Sequence, residues 1–276
     1  MAGMLYLVPT PIGNLGDISL RCRQTLEEAD FIAAEDTRVS LKLLNHLGIK
    51  KSLVSYYEHN KALKGDVILG RILAGETCAL VSDAGSPAIS DPGEELVRQC
   101  VEAGITVCAI PGPCALVTAL CISGQATGRF CFEGFLSTAK KSRRAHLESL
   151  SGEQRTMIFY EAPHKLTATL ESMAEVFGAD RPISLCRELT KLHEEVIRTT
   201  IGGAMELYAE TAPKGEFVLV VAGAPAPKEE SATEEDAAAR VAALMEAGLS
   251  RKDAIKQTSQ ELKMPKNLVY EAALKL

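Results

Sequence analysis

A stretch of thirteen residues, VSDAGSPAISDPG from Val81 to Gly93, places polar and conformationally special residues directly after an apolar run. It contains three serines, two aspartates, two glycines and two prolines. Glycine adopts backbone angles closed to other residues, and proline fixes φ and stops a strand or helix. The pattern therefore predicts a rigid polar turn at a strand end. Such a turn suits either an anion or sugar site, or turn and helix-cap roles for Asp83 and Asp91.

Side chains that could move a proton follow other predicted strands. Glu35 and Asp36 lie in AEDTR, Glu161 begins EAPHK, and Lys191 and His193 lie in ELTKLHEE. A carboxylate or a neutral lysine in such a position can accept the proton of a hydroxyl group. The alternatives are caps of the following helix for the first two residues and a surface position for the histidine. The sequence does not choose among these candidates.

The apolar pattern predicts the elements that position these residues. Five predicted strands alternate with helices in the first half of the chain, at 4–8, 31–34, 53–55, 78–81 and 105–110. Five such units predict an open, mainly parallel sheet covered by helices. Ligands bind such sheets beyond the carboxyl ends of the strands. The polar segments all follow a strand, so one crevice could gather them.

Two common phosphate-binding motifs are missing from the sequence. PTPIGN stands after the first strand in place of GxGxxG, and GxxxxGK[ST] does not occur. Binding of a dinucleotide or a nucleoside triphosphate through these motifs is therefore disfavoured.

The second half of the chain predicts a different α/β layout followed by a helical tail. The domains expected are an N-terminal α/β lobe at 1–122, a second α/β lobe at 123–223, a linker at 224–235 and a helical module at 236–276. Polar loops on both lobes predict a cleft between them. The tail has a helix-turn-helix outline, which suits contact with either nucleic acid or protein.

The charge balance limits how the chain could meet nucleic acid. The net charge of −6 argues against a uniformly basic surface. Two local patches are basic: residues 137–147, and the tail, where residues 249–276 contain six Lys or Arg against three Asp or Glu. Either patch could contact phosphates or form a solvated surface. The first patch contains Lys140, Lys141, Arg143 and Arg144.

The eight cysteines form no CxxC pair and lie mostly in apolar segments. This favours reduced core cysteines over disulfides or a metal site. No apolar run approaches the ~20 residues that a membrane-spanning helix needs. We therefore expect a cytoplasmic protein without a metal.

The loops together resemble the tetrapyrrole (corrin/porphyrin) methylase superfamily. The segments that carry the resemblance are LYLVPTPIGNLGDIS (5–19), AEDTR (34–38), VSDAGSPAISDPG (81–93), IPGPCA (110–115), FYEAPHK (159–165), ELTKLHEE (188–195) and KGEFVLVV (214–221). They are most similar to the branch that methylates the ribose 2′-hydroxyl of a cytidine in small-subunit (16S) ribosomal RNA. The resemblance implies a two-lobed α/β fold with a parallel sheet, a mixed sheet and a small helix-turn-helix-like module. It also implies a homodimer and S-adenosylmethionine as methyl donor.

The resemblance also implies roles for individual residues. The donor pocket would be lined by Ile12, Asp83, Gly85, Ser86, Pro87, Cys114, Ala115, Tyr160, Lys214, Gly215 and Glu216. Arg38 and Lys165 would contact RNA phosphates or support the fold, in addition to the basic patch at 137–147. Three positions depart from the family pattern, with Cys114 for Ser, Ser86 for Thr and Lys165 for Arg. The first departure weakens a hydrogen bond and the last loses a two-pronged phosphate contact.

Three functions remain open on the sequence. The first is a ribosomal RNA ribose methyltransferase, which the full set of motifs favours. The second is a small-molecule methylase acting on a tetrapyrrole carbon, which would need neither the basic patch nor the tail. The third is a nucleic-acid-binding regulator without catalysis, which an intact donor pocket argues against.

Overall fold

The computed structural model describes residues 3–226 and 232–274 of the chain. The chain forms two compact units, Met1–Ala224 and Pro225–Leu276. Part of the predicted linker, residues 227–231, lies outside the described residues.

The first sheet of the larger unit is entirely parallel, as predicted. Its strands are β1 (Met4–Leu7), β2 (Phe31–Ala34), β3 (Ser52–Ser55), β4 (Cys78–Val81) and β5 (Thr106–Ala109), in the order β3-β2-β4-β1-β5. The helices are α1 (Leu20–Glu28), α2 (Thr37–Leu47), α3 (Lys61–Leu73), α4 (Gly93–Glu102) and α5 (Ala115–Ser123). All the βα loops leave from the carboxyl edge of the sheet.

Apolar side chains on both faces of this sheet explain why it is buried. In β2, Phe31 and Ala33 join one apolar cluster, whereas Ile32 and Ala34 join the cluster on the opposite face. Successive side chains of a strand point to opposite faces, so a continuous apolar run forms a strand covered on both sides. Helix α2 ends at Gly48, whose φ of 73° gives the left-handed cap expected from the sequence.

The second sheet of the larger unit is mixed, which confirms the predicted fold class. Its strands are β6 (Phe130–Phe135), β7 (Thr156–Glu161), β8 (Pro182–Arg187), β9 (Glu195–Thr200) and β10 (Phe217–Val221), in the order β6-β7-β10-β8-β9. Among these strands, only β6 and β7 pair in parallel. The accompanying helices are α6 (Lys140–Ser149), α7 (Pro163–Phe177) and α8 (Ile201–Leu207).

Strand β9 and helix α8 were not predicted. Strand β9 lies at the edge of the sheet and carries Glu195 and Arg198, so it lacks the apolar run that marks a buried strand. Helix α8 contains the adjacent pair Gly202 and Gly203, which lowers intrinsic helix propensity. The hydroxyl of Thr200 caps the helix by accepting a hydrogen bond from the Gly203 N–H at 3.1 Å.

Helix α5 packs against the second sheet although it follows the last strand of the first. Its buried residues Leu116, Ala119 and Leu120 join a cluster with Ile158 of β7 and Val218 of β10. The apolar helix thereby links the end of the first sheet in sequence to the core of the second sheet. The predicted lobe boundary at residue 122 stays a prediction, although each sheet takes its strands from one side of it.

The smaller unit consists of three helices, α9 (Glu234–Glu246), α10 (Arg251–Glu261) and α11 (Lys266–Leu274), in its described part. Its core contains Ala237, Val241, Leu244, Ala254 and Val269. Thr233 and Asp236 form a reciprocal capping box at the start of α9, which explains where that helix begins.

The cysteines divide between the core and the surface. Cys22, Cys78, Cys100 and Cys186 are buried, whereas Cys121 on α5 is exposed, contrary to the prediction of core cysteines. In the described residues all eight are free, and no group of His, Cys, Asp and Glu is arranged to hold a metal ion.

A membrane span would need a longer and more apolar helix than any found in residues 3–226 and 232–274.

Candidate functional site

A cavity of about 410 Å³ lies where the carboxyl edge of the first sheet meets the second sheet. Its lining comes from loops of both sheets: Ile12, Glu35, Ser82, Asp83, Ala84, Gly85, Ser86, Ile89, Ser90, Asp91, Cys114, Ala115, Phe135, Tyr160, Glu161, Ala162, Cys186, Leu189, Lys191, Glu216, Phe217 and Val218. The volume falls in the usual range for a site that encloses a small molecule or cofactor. We call it the donor cavity below, because the family resemblance implies a methyl-donor pocket at several of these residues.

Hydrogen bonds join the loops of the first sheet into one wall of this cavity. The Thr10 N–H donates to the Gly85 carbonyl at 2.9 Å, and the Gly85 N–H donates back at 3.0 Å. The Asp36 N–H donates to Asp83 Oδ1 at 3.0 Å. The Ser86 hydroxyl donates to the Pro113 carbonyl at 3.0 Å. The predicted convergence of these segments is therefore present.

Gly85 occupies a position that requires glycine. Its φ is 85°, in the left-handed region, and an added Cβ would lie 3.3 Å from Ile12 Cγ2. A side chain at this position would strain the main chain and crowd Ile12.

Asp91 does more than begin a helix. Its Oδ1 accepts hydrogen bonds from the N–H groups of Ala88 and Gly93, both at 2.8 Å. These bonds support the unusual positive φ of Ala88, 69°, and Ser90, 62°. Its Oδ2 is buried, and in the described structure it has no partner. Burial raises the pKa of this carboxyl group. Asp91 therefore holds the turn between Ala88 and Gly93, whose residues Ile89 and Ser90 line the cavity.

Tyr160 forms the wall that belongs to the second sheet. Its hydroxyl accepts a hydrogen bond from the Leu116 N–H at the start of α5, at 3.1 Å. Burial and the neighbouring Cys114 raise the pKa of Tyr160 to about 12, so the phenol stays neutral. The rings of Phe132 and Phe135 lie 4.9 Å and 5.5 Å from the Tyr160 ring, centroid to centroid. The result is a rigid aromatic wall.

Lys191 closes another side of the cavity. Its Nζ lies 2.8 Å from both Glu188 Oε1 and Glu216 Oε2, so it joins two loops of the second sheet. An added Cβ on Gly13 would lie 2.4 Å from Lys191 Cγ, which shows how closely the loop after β1 approaches. Burial lowers the pKa of Lys191, but its hydrogen bonds to the two glutamates outweigh burial, and the net shift is upward. Lys191 is therefore a cation and not a neutral base.

The three carboxylates predicted as catalytic candidates lie in different environments. Burial, followed by repulsion from Asp83 and Asp91, raises the pKa of Glu35, which lines the donor cavity. Asp36 caps α2 and pairs with Arg38, and hydrogen bonds from Arg38 lower its pKa to about 2. A carboxylate with this pKa is a weak base.

The environment of Glu161 does not fit the catalytic role predicted for it. It is 2 % exposed, although some of its atoms line the cavity. Its Oε1 accepts from the Ala162 N–H at 2.9 Å, and its Oε2 accepts from the Thr169 hydroxyl at 2.6 Å. Because both oxygens are used to hold the start of α7, Glu161 has a structural role.

The predicted basic patch splits into a buried part and an exposed part. Arg143 is 8 % exposed, and its guanidinium donates to Ser172 Oγ at 2.9 Å and to the carbonyls of Ser137 and Thr138. It therefore supports the fold, which corrects the expectation that it contacts RNA. Lys140, Lys141 and Arg144 are exposed, although Arg144 pairs with Glu148 at 2.8 Å and Glu175 at 3.2 Å. Lys165 is partly exposed in the first turn of α7.

Most of the residues expected in a donor pocket line this cavity: Ile12, Asp83, Gly85, Ser86, Cys114, Ala115, Tyr160 and Glu216. Pro87 is buried behind the loop, and Lys214 and Gly215 lie outside the lining. Gly215 has φ of 84°, and an added Cβ would lie 2.4 Å from Glu188 Cγ, so it positions Glu216 indirectly. His193 is exposed and also lies outside the lining.

Sequence reasoning did not assign Phe135, Leu189 or Val218 to the cavity. They lie within or beside apolar runs that predict only core packing. Only their position could have indicated the cavity: Phe135 ends β6, Leu189 follows β8, and Val218 lies near the start of β10.

The fold and the cavity define an α/β protein with a cavity of small-molecule size between its two sheets. The family model of the Tetrapyrrole (Corrin/Porphyrin) Methylases matches residues 4–204. The chain therefore belongs to the tetrapyrrole methylase family, which confirms the resemblance seen in its motifs.

Curated relatives that match nearly the whole chain carry one name, "Ribosomal RNA small subunit methyltransferase I". The protein from Synechocystis sp. is 48% identical, with 99% of this chain and 98% of that protein covered. The protein from Bacillus subtilis is 46% identical, with 98% and 94% covered. The protein from Escherichia coli O157:H7 is 44% identical, with 99% and 95% covered.

Solved structures support the fold at lower sequence identity. A uroporphyrin-III C-methyltransferase from Thermus thermophilus, complexed with S-adenyl homocysteine, has a TM-score of 0.54 and 17% identity, with 79% of this chain and 97% of that chain covered. Diphthine synthase has a TM-score of 0.60 and 14% identity, with 80% and 90% covered.

Proposed function

We propose that this protein methylates small-subunit ribosomal RNA with S-adenosylmethionine as donor, at the ribose 2′-hydroxyl of a cytidine. The observation that carries the proposal is the shared name of relatives 44% to 48% identical over nearly the full chain. The cleft, its volume and its charged groups support the same activity.

The cavity fits the donor in charge. The carboxylates Glu35, Asp83, Asp91 and Glu216 contribute to its lining, and Lys191 is the one cation among the described lining residues. Since Lys191 is paired with Glu188 and Glu216, the cavity carries negative charge. A cleft of one sign attracts a ligand of the opposite sign, and a sulfonium is a cation.

The cavity also fits the donor in shape and polarity. Ile12, Cys114, Ala115 and Val218 offer an apolar surface for an adenine ring, beside the aromatic ring of Tyr160. Asp83 is an exposed acceptor for a hydroxyl or ammonium group. When bound, S-adenosylmethionine supplies a methyl group already activated for transfer.

Glu35 is the residue that we propose as proton acceptor. It lines the donor cavity, and its raised pKa brings a carboxylate closer to neutral pH than usual. Asp36 and Glu161 are engaged in structural bonds, and Lys191 is held protonated by its ion pairs. The remaining rate acceleration comes from positioning, because holding the two reactants in line lowers much of the barrier to methyl transfer.

The proposal extends to the partners that the resemblance implies. The RNA would approach through Arg38, Lys140, Lys141 and Lys165, each at least partly exposed. The active form would be a homodimer in the cytoplasm. Light scattering of the purified protein would measure its oligomeric state, and a monomer would contradict that part.

The test is direct. The purified protein is incubated with labelled S-adenosylmethionine and small ribosomal subunits, and ribose methylation is mapped by reverse-transcription stops. We expect label in the RNA at one cytidine, and loss of label with Glu35→Gln. Transfer to a tetrapyrrole precursor instead, or RNA binding without turnover, would contradict the proposal.

A further inference from the structure

A second cavity, of about 360 Å³, opens at the carboxyl ends of β2 and β3. It is lined by Glu35, Asp36, Thr37, Arg38, Ser55 and Tyr57. Glu35 also lines the donor cavity, so this one side chain belongs to the wall of both spaces. We call the second space the outer cavity. The outer cavity therefore lies directly beside the donor cavity.

The outer cavity presents an aromatic ring and a cation to solvent. Tyr57 is 41 % exposed, although the neighbouring Tyr56 is 1 % exposed and anchored in the core. The side chain of Arg38 is 87 % exposed, and Asp36 Oδ2 accepts from its Nη2 at 2.6 Å. Proteins bind unpaired nucleotides by stacking bases on aromatic rings and by placing arginine against the phosphates.

Local hydrogen bonds hold the Tyr57 loop in place. The Tyr57 N–H donates to Asn60 Oδ1 at 2.8 Å, and the Asn60 amide donates to the Ser55 carbonyl at 3.2 Å. The His59 ring meets the Tyr57 ring edge-on, with centroids 6.3 Å apart. The exposed ring therefore extends from a fixed turn. The protein loses little conformational freedom when a ligand stacks on this ring.

We propose that the outer cavity is the subsite for the acceptor nucleoside, with the base stacked on Tyr57 and a neighbouring phosphate at Arg38. This places the ribose at the wall that both cavities share, next to Glu35. The inference rests on the proposed RNA methylation and adds a specificity residue, Tyr57, that the sequence did not single out.

Tyr57 variants test the inference, with labelled S-adenosylmethionine and small ribosomal subunits as substrates. Tyr57→Ala removes the ring, and we expect kcat/KM for the RNA to fall about tenfold or more, the usual effect of losing one base stack. Tyr57→Phe keeps the ring and should retain activity within about twofold of the unsubstituted protein. The affinity for S-adenosylmethionine, measured by calorimetry, should stay unchanged in both, because Tyr57 does not line the donor cavity.

Arginine variants provide a matched control. Arg38→Ala should raise KM for the RNA and reduce its salt dependence, because the alanine side chain cannot bind a phosphate. Arg23→Ala removes an equally charged residue, 50% exposed and paired with Glu27 on α1, and should change neither.

The outcomes separate this inference from the proposed function. If the unsubstituted protein does not methylate the small subunit, the proposed function fails. If it does, and Tyr57→Ala is as active as Tyr57→Phe, the acceptor subsite lies elsewhere. Equal losses in both Tyr57 variants would also overturn the inference, since the hydroxyl and not the ring would then be responsible.

Discussion

The Asp36 N–H donates a hydrogen bond to Asp83 Oδ1 at 3.0 Å, which joins the loops that follow β2 and β4. These strands are neighbours in the sheet although 47 positions separate the two residues. Asp83 lines the donor cavity and Asp36 lines the outer cavity. The bond therefore joins a loop that lines the donor cavity to a loop that lines the outer cavity, next to Glu35.

Asp83→Asn separates the charge of Asp83 from its structural bond. The amide oxygen can still accept from the Asp36 N–H, but the negative charge is gone. We expect the affinity for S-adenosylmethionine to fall about tenfold by calorimetry, with the melting temperature almost unchanged, since Asp83 is exposed.

Asp83→Ala is the matched comparison, because it loses both the charge and the bond. It should show the same loss of donor affinity. Its free energy of unfolding should also fall, by no more than about 1 kcal/mol. A large fall in melting temperature with intact affinity would make Asp83 a turn residue only.

Glu35→Gln tests the proposed base. We expect kcat to fall about 10²-fold while donor affinity is retained. Burial and the carboxylates of Asp83 and Asp91 raise the pKa of Glu35. The base must be ionised, so activity should decline as pH falls. The decline should begin at a higher pH than for a glutamate with an ordinary pKa.

The same pKa shift predicts two further results. In Asp83→Asn, the acid limb of the rate profile should move to lower pH, because one repelling carboxylate is removed.

The folded protein binds the Glu35 proton more tightly than the unfolded chain does. This stabilising contribution is therefore complete below the ordinary pKa of 4.5 and is lost as pH rises through the folded value. A rate profile identical in Glu35→Gln would exclude Glu35 as base.

Lys191→Met tests whether the ion pairs of Lys191 shape the donor cavity. The substitution keeps an apolar chain but releases Glu188 and Glu216 from their shared partner. The added negative charge favours the sulfonium, but two unpaired carboxylates repel each other and displace Glu216 from the cavity lining. We expect the displacement to dominate and donor affinity to fall about tenfold by calorimetry. The acid limb of the rate profile should remain. Lys42→Met, at an exposed position on α2, is the control and should have no effect.

Arg143→Ala and Lys141→Ala test the correction to the basic patch. Arg143 is buried and bonded to Ser172, Ser137 and Thr138, so its loss should cost about 3 kcal/mol in a denaturant titration. Lys141 is exposed, so its loss should leave stability unchanged and raise KM for the RNA. The reverse pattern would restore Arg143 as an RNA-binding residue.

Deletion of residues 226–276 tests the helical module. The larger unit, Met1–Ala224, is compact by itself and should keep its melting temperature. If exposed lysines such as Lys252, Lys256 and Lys266 bind phosphates, the slope of log affinity against log salt concentration should become flatter by about 0.7 for each such lysine. An unchanged slope would exclude phosphate contacts by the module and leave it a structural or dimer-contact role.

Local sequence determined the elements and the family. Apolar runs such as Phe31–Ala34 and Cys78–Val81 set the buried strands, and Gly48 ended α2 as predicted, because these preferences act over a few residues. The edge strand β9 escaped prediction because edge strands need no apolar run.

Tertiary structure decided which polar residues are available for chemistry. Arg143 and Glu161 resemble the other charged candidates in sequence, yet both are buried and bonded, whereas Glu35 lines two cavities. Asp91 and Tyr57 line cavities whose other walls come from residues distant in sequence, such as Tyr160 and Glu35. Burial, pKa and access depend on neighbours that only the folded chain brings together, so motifs could locate the cleft but could not assign each side chain within it.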